Sequence, residues 1–107
     1  AGLILGTQFP LLASDRTPQA VPQAVQTQAV RLEEQAAELF KQGKYREATP
    51  LLEQALRIRE TALGKEHLSV AMALTNLAEA YSKQGQYRAA ELLGVRALQI
   101  RETALGK

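Results

Sequence analysis

Few residues of this chain are able to do chemistry, and their spacing argues against catalysis. There is one histidine, His67, and no cysteine. Disulfides, zinc ribbons and thiol catalysis are therefore excluded. His67 stands in a loop ahead of a helical segment with nothing at ligand spacing beside it, so a capping or loop role is expected. No Ser-His-Asp or Cys-His set can be assembled. The paired glutamates Glu33 and Glu34 are sequence neighbours, and on a helix neighbours do not face each other. The glycines are single and sit mostly at helix ends, so no phosphate-cradling loop is present. What remains is binding chemistry. Asn76 carries an amide that donates and accepts at once, which suits the backbone of an extended peptide. The plainer alternative is that it bonds a neighbouring helix or water.

The bulk properties narrow the class further. The chain has 107 residues, 46% hydrophobic and 22% charged, as in an ordinary soluble globular protein. A net charge of +2, with no basic run and few aromatics, gives no footprint for nucleic acid or an anionic membrane. No cofactor or metal is implied. Ala, Leu, Gln, Glu and Arg dominate, and all favour helix.

The elements that must position Asn76 come from a repeat. Residues 42–65, QGKYREATPLLEQALRIRETALGK, return at 84–107 as QGQYRAAELLGVRALQIRETALGK, identical at 16 of 24 positions with an offset of 42. Self-similarity at such a period marks a stacked array of supersecondary units. The units are read as 29–65 and 66–107. Ahead of them, residues 1–13 are apolar and uncharged, too short to span a membrane. They have the pattern of the second half of a secretory signal, with Ala13 before a polar start. An apolar tail or anchor remnant is the alternative. Residues 14–28 repeat Pro-Gln-Ala-Val and read as a disordered linker. The missing initial Met and the stop within a repeat make the chain read as a fragment of a longer one. Export is expected from the signal-like start, with a cytoplasmic location as the alternative.

Four helices follow from apolar spacing. The first opens near Thr27 to Val30, carries Leu32, Ala36, Leu39 and Phe40 on one face, and ends at Gly43. The second runs from about Tyr45 to Leu63, with an apolar row of Tyr45, Ala48, Leu52, Ala55, Leu56, Arg59 and Ala62. Glu53 and Arg57 are spaced as an i,i+4 pair. Pro50 lies inside this helix and is expected to kink it. The third runs from His67 or Leu68 to Lys83 and has two stripes. Leu74, Leu77, Ala78 and Tyr81 face the core; Met72, Thr75, Asn76, Glu79 and Lys83 form the other. The fourth spans about Tyr87 to Leu105, with Gly94 where the first copy has Leu52, to admit a close neighbour or to leave a gap.

The segment LTNLAEAYSKQGQYRAAELLGVRAL resembles the tetratricopeptide repeat, with Leu77, Ala78, Tyr81, Ala90 and Ala97 at its packing positions. The 42-residue period, with IRETALGKEH extending the second helix, resembles the variant found in kinesin light chains and bacterial arrays. That variant usually has His-Pro where this chain has His67-Leu68. Gln35 stands where the second copy has Leu77, as in a capping unit. Pro50 is common at its place in such arrays. The resemblance implies an all-α fold: a right-handed superhelical stack of antiparallel hairpins, an α-solenoid of two units and four helices. Further repeats in a longer chain would extend the stack.

The resemblance also implies a scaffold that binds a peptide or partner protein on its concave face. That face would be lined by Met72, Thr75, Asn76, Glu79 and Lys83, with Val30, Glu33, Glu34, Ala37 and Lys41 beside them. The family's carboxylate clamp needs Lys and Asn where Glu33 and Ala37 stand, so that ligand class is not expected. Glu33, Glu34 and Glu79 favour a neutral-to-basic peptide, unless they simply form a solvated acidic face. As an alternative, similar exported arrays precede a caspase-like CHAT peptidase domain, and the chain would then be the regulatory arm of an enzyme. A third expectation is self-stacking, because the last helix exposes an apolar row until something covers it.

Overall fold

A computed structural model describes residues 23–106. The signal-like segment 1–13 and linker positions 14–22 lie outside the described residues. Within them the chain forms four helices: α1 Gln23–Lys41, α2 Tyr45–Leu63, α3 Leu68–Lys83 and α4 Tyr87–Ala104. Helix α1 begins at Gln23, upstream of the expected Thr27–Val30. The Gln- and Ala-rich stretch read as linker continues the helix because these residues have good propensity once Pro22 is passed. The other three helices lie within a residue of their expected bounds.

Each hairpin closes by the same device. After α1, Lys44 N–H donates to the Leu39 carbonyl at 2.8 Å and Gly43 N–H to that of Phe40 at 2.9 Å. After α3, Gln86 donates to Tyr81 at 2.9 Å and Gly85 to Ser82 at 3.0 Å. These paired bonds satisfy the last carbonyls and need a left-handed residue, which Gly43 (φ 76°) and Gly85 (φ 80°) supply. The turn between hairpins differs. His67 caps α3, its Nδ1 accepting from Ser69 N–H at 3.0 Å, so the one histidine has the capping role its position implied.

The helices pack in chain order, α1 on α2, α2 on α3 and α3 on α4. Helix α3 lies between α2 and α4, which explains why it buries Val70, Ala71, Ala73, Leu74, Leu77 and Ala80 over a wide arc. Leu52 and Leu56 of α2 and Ala97 and Ile100 of α4 complete the core. Buried alanines at 36, 48, 55 and 97 bring the backbones together; Ala78 and Ala90 are half-buried. Helix α2 runs without interruption through the exposed Pro50, and the Thr49 hydroxyl donates to the Tyr45 carbonyl at 2.9 Å beside it.

Two sequence expectations change and a third is decided. Ala62 is exposed, so the α2 row ends at Arg59. Glu53 is not ion-paired with Arg57 among the described residues; it accepts the Tyr81 hydroxyl across the α2–α3 seam at 2.6 Å. Of the two readings of Gly94 the gap holds, since a Cβ there would meet nothing within 4 Å.

Candidate partner-binding groove

No Cα of α1 lies within 8 Å of one in α3. Both helices pack on α2, so a groove opens between them with α2 as its floor. It holds a cavity of about 200 Å³, lined by Glu33, Ala36, Ala37 and Phe40 of α1, Leu52 of α2, and Asn76 and Glu79 of α3. Two lining positions of α1 are alanines, whose small side chains leave the space between the helices unfilled, while Ala36 and Leu52 at its base are themselves core residues. Phe40 is held at its end by an edge-to-face contact with Tyr45, the ring centroids 5.0 Å apart at 82°.

The electrostatics of the groove differ from the sequence reading. Glu33 is not a free carboxylate. Arg59 of α2, only 8% exposed, donates to it from Nε at 3.1 Å and from one terminal nitrogen at 2.9 Å. This two-pronged geometry is the strong form of a guanidinium–carboxylate pair. It cancels the charge of Glu33 and fixes the carboxylate as wall. Glu34 is exposed and outside the cavity lining. Of the three acids expected to make the groove acidic, Glu79 alone offers the cavity an uncompensated charge.

Four of the ten expected lining residues, Glu33, Ala37, Asn76 and Glu79, come together around the cavity. Val30, Glu34, Lys41, Met72, Thr75 and Lys83 do not line it. Lys41 sits at 3.4 Å from Glu38 on the exposed flank. Met72 is 61% exposed on the same helix as Asn76. Thr75 hydrogen-bonds the Ala71 carbonyl and accepts from Arg101 of α4 at 3.1 Å. Ala36, Phe40 and Leu52, its apolar lining, lie on the helix faces that the sequence assigns to packing, and Ala36 and Leu52 are buried there. Only the paired alanines Ala36 and Ala37, facing a bulky Leu52, signalled that a core row would open into a recess.

Asn76 is half-buried, and its amide makes no hydrogen bond among the described residues. Of the two plainer roles, a bond to a neighbouring helix is not formed there, and a bond to water stays open because the amide reaches solvent. The described residues hold no group of three or more acidic, His or Cys side chains able to bind a metal ion. None of the described helices is long and apolar enough to cross a membrane.

Two hairpins in one register, a lateral groove and an unengaged amide over an apolar floor define a helical-repeat protein. The tetratricopeptide repeat model matches residues 28–103, and the chain belongs to that family. Its members generally mediate protein–protein interaction, and the repeats are typically non-catalytic scaffolds. No curated protein matches the chain.

Proposed function

We propose that the chain is an interaction scaffold, not an enzyme, and that it captures an extended peptide or partner segment in the groove between α1 and α3. The free amide of Asn76 carries the reading. The Asn76 amide reaches solvent with no protein partner among the described residues, so a ligand can replace its water, and its donor and acceptor match one residue of peptide backbone. The accessible apolar lining, exposed Ala37 and half-buried Phe40, suits the aliphatic stem of a Lys or Arg side chain, whose cation then meets Glu79. A neutral-to-basic peptide fits this groove, and the fixed, neutralised Glu33 leaves no cation in it for a terminal carboxylate. The uncharged opening of residues 1–13 supports an exported chain. The test is selection of a short random-peptide library on the chain. Selected peptides carry Lys or Arg and bind less well to Asn76→Ala and Glu79→Lys. Acidic peptides indifferent to both substitutions would move the site elsewhere.

A further inference from the structure

The groove between α1 and α3 keeps two charges unmet. Glu79 lines the cavity, and among the described residues no cation lies within ion-pairing distance of it. Lys83, one turn further along α3, is exposed and likewise has no carboxylate partner among the described residues. The two stand on the same side of the helix. A ligand that answers both must therefore carry a cation and an anion in a fixed order. Residues 1–22 of this chain contain one cation and one acid, and they are neighbours, Arg16 and Asp15.

We propose that residues 14–22 fold back from the start of α1 and lie along this groove, antiparallel to α1, in the place that a partner peptide takes. The proposal rests on the peptide-binding reading of the groove. The lengths agree. Proline at 18 and 22 favours extended backbone, and in that form Arg16 to Pro22 spans about 22 Å. Glu79 and Ala37 line the same cavity, and Ala37 lies about 21 Å along α1 from Gln23. Asp15, one residue further out, reaches about 25 Å. Lys83, the counterpart of Lys41 in the repeat, stands at about 27 Å. Arg16 thus comes level with Glu79 and Asp15 with Lys83, in the order the groove requires.

The segment meets the other demands of the groove. The aliphatic stem of Arg16 lies against exposed Ala37 and half-buried Phe40. Thr17 comes near the level of Asn76, and its N–H and carbonyl match the unengaged amide. The recess on the outer side of α1 is a poor rival seat: it has no carboxylate in its lining and presents Arg31 to the arriving cation. Attachment to α1 gives the segment an effective concentration in the millimolar range, so even a contact of millimolar affinity fills the groove about half the time. A partner must displace it, and the apparent affinity for that partner falls accordingly.

The full chain has no cysteine, so Ser14→Cys accepts a single nitroxide label, and paramagnetic broadening of the backbone amides reads where the label sits. The amides of Ala37, Glu79 and Lys83 are expected to broaden strongly, and those of Gln28 and Arg31, nearer the start of α1, to broaden less. Arg16→Glu abolishes the groove broadening, and Arg16→Glu together with Glu79→Arg restores it. Broadening that declines steadily along α1 from Gln23, or groove broadening indifferent to Arg16→Glu, would overturn the proposal. Titration of a library-selected Lys peptide tests the peptide site separately. The Arg16→Glu chain is expected to bind it about twofold tighter, or more, than wild type. Equal binding by both chains, still lost with Asn76→Ala, would leave the peptide site standing and refute the segment as its occupant. Groove broadening in a chain that binds no peptide would support the segment and remove the external ligand.

Discussion

Arg59 grips both carboxylate oxygens of Glu33, at 3.1 and 2.9 Å, across 26 residues of sequence. The pair joins α2 to α1 and at once shapes the groove wall and removes its charge. Forty-two residues later Arg101 meets Thr75 in the same register, so one repeat carries an ion pair and the other a single weaker bond. Removing Glu33 leaves a nearly buried guanidinium alone. Glu33→Ala is expected to destabilise the chain by about 3 kcal/mol, measured by urea unfolding. Thr75→Glu installs the missing acid and is expected to stabilise the monomer by about 1 kcal/mol.

The Tyr81 hydroxyl donates to Glu53 at 2.6 Å. The bond to that carboxylate, then burial, then its negative charge push the Tyr81 pKa from 10.0 up to about 12. A folded-state pKa above the unfolded value means the contribution is fully present below pH 10 and is lost as pH rises through 12. Tyr81→Phe should cost about 1 kcal/mol near neutral pH. The gap between wild type and variant should close over that alkaline window. A gap that held constant to the top of the window would show that it does not come from the Tyr81–Glu53 bond.

Much of the fold was legible because the repeat fixes register. The bounds of α2, α3 and α4, the glycine stops and the capping role of His67 all follow from local rules. What escaped was long-range pairing. Glu33 and Arg59 each looked ordinary, one as an exposed acid and the other as a stem along a seam. Nothing in local spacing says that they meet. The same holds for Glu53, whose nearest sequence partner Arg57 loses to Tyr81 on another helix. Gln23–Thr27 escaped for a different reason: a Pro-Gln-Ala composition reads as linker, yet once past Pro22 its residues favour helix.

Pro50 is exposed inside an unbroken helix and cannot donate to the Arg46 carbonyl. Pro50→Ala returns that bond without disturbing a core contact. It is expected to stabilise the chain by about 1 kcal/mol or more, read as a higher midpoint in thermal unfolding. A lower midpoint would mean that the surrounding packing requires the proline geometry.

Leu74 is fully buried between α2 and α4. Leu74→Ala is expected to cost about 2–5 kcal/mol and to unfold both hairpins together, because α3 belongs to both seams. Loss of one hairpin alone, seen as two separate unfolding steps, would show that the units are independent.

The central claim is that Asn76 and Glu79 capture a peptide in the α1–α3 groove. Isothermal titration of a Lys-containing library-selected peptide into wild type, Asn76→Ala and Glu79→Lys tests it most directly. Each variant is expected to keep its helicity and to lose about tenfold in affinity, with the Glu79→Lys loss shrinking as salt rises. Equal affinity for all three proteins would contradict the account.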